Sequence, residues 1–266
     1  MRIYVENILW MLVFGLLMFW SMGYVFGLVT WPVIPPVLAL LNAPSIGLVI
    51  GGLMIATLIS YPASQVRRAM GVVFSVFSQS PYSSKRLSED ISMIIEWLRL
   101  FRTNRTEAFV KLRQQHRNNF EAYLISLLNT TYDPEEIRRL GGKQIHTAHE
   151  MRLKTSRVLQ SMGNAAPAFG MLGTLFGLIV ILDSFQDAAQ LGRGLSLALM
   201  TTLYGLVLAH FVFSPLALKV RTLADEQRAR ESMVLEGVVM VRQDRPPMII
   251  RDELNTWLER DFVSDE

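Results

Sequence analysis

The sequence contains no cysteine. That absence excludes a disulfide framework, a thiolate metal site and a cysteine nucleophile. Charge is missing from four long stretches. Ile8 to Leu28, Pro44 to Ser64 and Leu195 to Ser214 hold no Asp, Glu, Lys or Arg, and Gly163 to Phe185 holds none until Asp183. The chain also lacks a nucleophile–base pair and a phosphate loop. "GGK" at Gly141 to Lys143 is without the rest of that motif. An independent enzyme is therefore not expected, and no cofactor or nucleic-acid partner is called for.

What is present is apolar. Hydrophobic residues make up 51% of the 266 residues. Each uncharged stretch approaches or exceeds the roughly 20 residues a bilayer-crossing helix needs. The first stretch is long for a signal-peptide core and more spans follow it, so cleavage is not expected. Sixteen of the twenty-six Lys and Arg residues lie between Gln65 and Met162, and eight follow Pro215. The connectors after the first and third stretches are nearly free of them. By the positive-inside rule, the middle segment, the tail and both termini are cytoplasmic. The expected fold is an all-α membrane protein. Transmembrane helices 1 and 2 occupy 1–64, and a helical cytoplasmic domain occupies 65–162. Transmembrane helices 3 and 4 occupy 163–214, and a helical cytoplasmic tail occupies 215–266.

The connector "TWPVIPPVLALLNAP" is proline-rich and reads as a loop at the outer interface, anchored by Trp31. In "RLSEDISMIIEWLRLF" the apolar residues Leu87, Ile91, Ile94, Ile95 and Leu98 share one helical face, with Ser88 as N-cap. Phe109, Leu112, Phe120, Leu124 and Leu127 continue the pattern. "DPEE" at Asp133 to Glu136 reads as a helix start: a cap, proline in the first turn, then acids near the positive end of the dipole. An interruption is expected at Gly141 and Gly142. The tail is expected to be helical to Arg242, broken by "DRPP", and then helical again.

Small residues organise the third and fourth stretches. Gly170, Gly173, Thr174 and Gly177 fall on one helix face. Ala198, Thr202, Gly205 and Ala209 fall on another, with Thr201 beside them. Such faces let backbones approach closely. The threonine hydroxyls have two readings: a bond to a carbonyl of their own helix, or ligation of a passing ion. Pro167 frees the carbonyl four residues before it, so it is either a flexing point or a simple helix entry. Pro215 reads as a terminator. Ion paths at membrane depth need an ionisable group, and these cores have none beyond His210. Either no ion moves, or a partner supplies the carboxylate. His146 and His149 are spaced for a metal, but no carboxylate completes a set, and a solvated face is expected.

"APAFGMLGTLFGLIVIL" followed by "LALMTTLYGLVLAHFVFSPLALKV" resembles the MotA/TolQ/ExbB family of ion-driven membrane motors. "PSIGLVIGG" and "LEGVVMVRQDRPPMIIRDELNTWL" are similar to the second span and tail of its flagellar MotA/PomA branch. The resemblance implies a homopentameric ring around a MotB/PomB-like single-span partner that carries an aspartate. The ring would drive a flagellar rotor, with roles in motility and chemotaxis, from the bacterial inner membrane. It implies that Thr174, Thr201 and Thr202 line the ion path, that Pro167 and Pro215 take part in conformational change, and that the ion is H+ or Na+. There are departures: Asn164 where the family has an aspartate, and His210 where asparagine is common. The rotor-facing charges are reduced to the candidates Arg102, Arg105 and Glu107 without the family spacing. An ExbB/TolQ-type load on the same engine, or a structural scaffold, remains as an alternative.

Overall fold

The computed structural model describes residues 43–75, 84–115, 119–183 and 188–259. The first apolar stretch and its connector lie outside them, apart from the connector's last two residues. Every regular element among the described residues is helical. The helices are α1 (Ala43–Ser60), α2 (Ala63–Ser75), α3 (Ser84–Thr103), α4 (Arg105–Gln115), α5 (Asn119–Leu128), α6 (Pro134–Asp183), α7 (Ala188–Val207), α8 (Ser214–Arg242) and α9 (Pro247–Glu259). A π-helical turn, Leu208–Phe213, joins α7 to α8. Two helical runs, Pro134–Leu182 and Leu191–Arg242, are long and apolar enough to cross a membrane, and Ser45–Ser60 is a shorter apolar helix.

The chain divides into two compact units, one of residues 1–79 and 157–217, the other of 80–156 and 218–266. The second unit has an aliphatic core around Trp97, which is fully buried. Leu87, Ile94 and Leu98 of α3 reach it, as do Leu124 and Ile125 of α5, Ile137 of α6, Met233 and Val238 of α8, and Ile250 and Leu254 of α9. Close packing of α8 depends on two glycines. A methyl group at Gly237 would come within 2.6 Å of Ile94 Cδ1, and one at Gly141 would collide with Leu235.

Three boundaries differ from the sequence reading. Helix α3 begins at Ser84, ahead of Ser88. Asn104 starts a new helix, its Oδ1 accepting from the Thr106 and Glu107 amides at 3.2 and 3.4 Å. Helix α6 runs 50 residues without a break at Gly141 and Gly142, because Gly141 is held against α8 and the ladder continues on both sides. The "DPEE" start is found at Pro134, with Glu135 and Glu136 in the first turn.

Candidate functional site

The site begins with the small residues of α6 and α7, in the first unit. Helix α6 turns Ala166, Gly170, Gly173 and Gly177 inward, all buried. Gly170 lies against the Thr201 carbonyl, Thr202 Cα and Gly205 Cα. A methyl group on Gly205 would stand 2.8 Å from the Ala166 carbonyl oxygen and 3.1 Å from Gly170 Cα. One on Gly173 would collide with the Thr201 side chain, and one on Gly177 would come within 2.6 Å of the Gly194 carbonyl oxygen. Nothing larger than hydrogen fits at these crossings, so the two backbones meet directly. Ala209 is buried further along. Ala166 and Gly194 extend the two rows, and the sequence reading missed both. Gly194 stands four residues before Ala198, and that spacing was the available signal.

The threonines occupy three environments. Thr201 is fully buried, and its hydroxyl donates to the Leu197 and Ala198 carbonyls at 2.9 and 3.0 Å. Thr202 is partly exposed, with its hydroxyl 3.4 Å from the Ala198 oxygen. Thr174, also partly exposed, donates to the Met171 carbonyl at 2.6 Å. All three therefore satisfy their protons within their own helix, and the partly exposed Thr174 and Thr202 leave oxygen lone pairs on an otherwise apolar surface. Around Thr174 that surface is large. Met171, Leu172, Leu175, Phe176, Leu178 and Ile179 are all exposed. A contiguous apolar face of this kind is a membrane or partner surface.

Both prolines depart from the simple reading. Pro167 lies deep inside α6, so it is not a helix entry. Pro215 does not terminate its helix, since α8 carries on from it. The π turn just before it explains why. The Ser214 amide bonds the Ala209 carbonyl five residues back, so the ladder has already left the i−4 register in which the proline ring would clash. His210, in that turn, is exposed. Helix α1 adds a third wall, with Gly52 close beneath the Phe169 ring.

The second unit carries a set of charge pairs. Arg230 forks onto Asp90 at 2.6 and 2.7 Å and reaches Glu121 at 3.2 Å. Its hydrogen bonds to Asp90 raise its already high pKa against the opposing effect of burial. Arg138 forks onto Glu236 at 3.1 and 3.0 Å and is likewise raised, chiefly by that bond. Arg152 forks onto the buried Glu231. His149 corrects the solvated-face reading. It is buried, with Nδ1 3.3 Å from the Ala224 carbonyl oxygen and Nε2 3.4 Å from Asp225. His146 alone faces solvent. No cluster of metal-ligating side chains occurs among the described residues. Of the rotor candidates, Arg102 is bonded to Asp244 within the chain, Glu107 is exposed, and the Arg105 side chain lies outside the described set.

The chain is similar to known proteins. The profile of the MotA/TolQ/ExbB proton channel family matches residues 109–233. The uncharacterised protein YtxD of Bacillus subtilis is 30% identical over 83% of this chain and 80% of its own length. Chemotaxis protein PomA of Vibrio alginolyticus is 28% identical over 82% of this chain and 84% of its own length. The fold matches that of the MotAB structure of C. jejuni with a TM-score of 0.77 at 20% identity, covering 92% of this chain and 94% of that one. By this match and this relative, the chain belongs to the MotA/TolQ/ExbB proton channel family.

Proposed function

We propose that this chain is a ring subunit of an ion-driven rotary stator, which with a MotB/PomB-like single-span partner couples ion flow to flagellar torque. The observation that carries this reading is the α6–α7 seam. Its glycines fix a tight helix pair, its threonines place oxygens on an apolar wall, and neither core holds a carboxylate. Such a wall handles an ion only when a second helix brings the charge. Relatives named PomA and Motility protein A support the flagellar load over an ExbB/TolQ-type one.

In this reading the chain crosses the inner membrane four times, with both termini cytoplasmic. Segments 1–64 and 163–214 lie in the bilayer. Segments 65–162 and 215–266 form the cytoplasmic part, where Arg105 and Glu107 are the remaining candidates for rotor contact. Thr174 and Thr202 face the partner's aspartate as H+ or Na+ loads and leaves. Thr201 sets their backbone by packing on Gly173. Pro167 and Pro215 are the flexing points of each step. Several copies, a pentamer by the family resemblance, close the ring around the partner.

The test is purification of the tagged chain from native membranes after crosslinking, with mass spectrometry of what accompanies it. A single-span protein with an intramembrane aspartate supports the stator. Recovery of the chain alone, or with a TolR-like partner, overturns the flagellar reading. Thr174→Ala should then assemble with that partner and lose ion-dependent work. Unchanged work would remove the threonine from the ion path.

A further inference from the structure

The second unit contains a cavity of about 280 Å3 between α6, α8 and the end of α9. Its floor is open at Gly142, where an added methyl group would meet nothing within 4 Å. At one end Arg138 bonds both Glu236 and Glu135, so that end offers an anion no free cation. The remaining polar groups are different. On α8, Arg221 approaches Asp225 at 4.0 Å, Arg230 holds Asp90, and Arg242 donates to the Tyr132 carbonyl. Arg228 has no partner among the described residues, and it lines this cavity. His146 and the Ser232 hydroxyl line it too, also without partners among the described residues. Ile145, Leu235 and Trp257 supply the apolar wall.

Donors from two helices with no acceptor of their own, beside a flat apolar wall, suit an anion with several oxygens joined to an unsaturated or apolar group. The volume lies just below the lower end of the roughly 300–1,000 Å3 range of small-molecule sites. We infer that this cavity binds a small, soluble phosphate monoester. Arg228, His146 and Ser232 hold the phosphate, and the organic part lies against Ile145, Leu235 and Trp257. A carboxylate is the less favoured match, because a phosphate offers one terminal oxygen for each of the three donors and carries more charge.

Phenyl phosphate and inorganic phosphate are the probes, titrated calorimetrically into the full chain in zwitterionic nanodiscs. Phenyl phosphate should bind with Kd below about 1 mM and more tightly than phosphate. Arg228→Ala should weaken it by about tenfold or more, the loss of a charge-assisted hydrogen bond. Gly142→Leu fills the floor without removing charge, and it favours the helix over glycine. It should abolish binding while circular dichroism stays unchanged. Absence of saturable binding in the parent chain overturns the site, and so does parental affinity in both variants. Equal affinity for the two probes overturns the apolar half. Displacement of the ester by added phosphatidic acid reassigns the cavity to a lipid headgroup and overturns the soluble ligand.

Discussion

Gly205 and Gly142 share a side chain and have opposite surroundings. Gly205 touches the α6 backbone at Ala166 and Gly170, whereas Gly142 faces open space. Gly205→Ala should destabilise the chain by about 1–3 kcal/mol through overpacking. Gly142→Ala should stabilise it by about 1 kcal/mol through helix propensity alone. Thermal unfolding of the two variants in one detergent checks both signs. Asp90 is a second single-residue lever. Asp90→Ala leaves the Arg230 guanidinium largely buried with only Glu121 to meet it, and should cost about 3 kcal/mol in denaturant unfolding. Raised cationic groups such as Arg230 contribute stability below their unfolded pKa and lose it only as pH climbs through the folded one. Alkaline titration within any usable range should therefore leave this pair intact. His149 shows where reading by residue stops. Its neighbours Ala224 and Asp225 lie some 75 positions away, and nothing in "HTAHE" announces them.

At the scale of elements, the end of α8 is an Arg-clasped turn. Asp244 adopts φ 55°, a left-handed conformation that usually favours glycine. The Arg245 amide bonds the Met240 carbonyl and the Asp244 amide bonds the Val241 carbonyl, both at 3.1 Å. Arg102 then holds the turn from α3. It bonds Asp244 Oδ1 at 2.6 Å, the Asp244 carbonyl at 3.1 Å and the Arg245 carbonyl at 3.4 Å. Arg102→Ala should speed hydrogen exchange across α9 by about five- to thirtyfold, equivalent to roughly 1–2 kcal/mol. Unchanged exchange would mean that Ile250 and Leu254 hold α9 unaided. Elements were legible where their signals are local. "DPEE" opened α6 where expected, and the small-residue rows, apart from Ala166 and Gly194, followed from spacing. The break at Asn104 went unread because its cap sits inside a helix-forming run. Pro215 was misread because a rule about the i−4 carbonyl does not see a ladder that has already shifted to i−5.

At the scale of the molecule, the two units separate tasks. The first presents an apolar face with Thr174 and Thr202 at its surface, Thr201 buried, and no carboxylate in its helix cores. The second holds the paired charges. A chain built this way should not conduct unaided: reconstituted alone in liposomes, it should carry no more H+ or Na+ flux than protein-free vesicles. Robust flux would remove the need for a partner's aspartate. The all-helical character and the membrane reading were open in the sequence because runs without charge are long and few. The two-unit division at 157 and 218 lies close to Gly163 and Ser214, where the charge-free runs begin and end, although α6 and α8 cross it as continuous helices. The wide turn at Leu208–Phe213 also bears on inheritance. A π turn holds one residue more than the α turn it replaces. Loss of one residue there should restore ordinary winding and leave the helix on either side in its place, while the same loss one turn away should rotate half of the helix out of contact. Length, which elsewhere in a packed helix is fixed, is here free to drift by one.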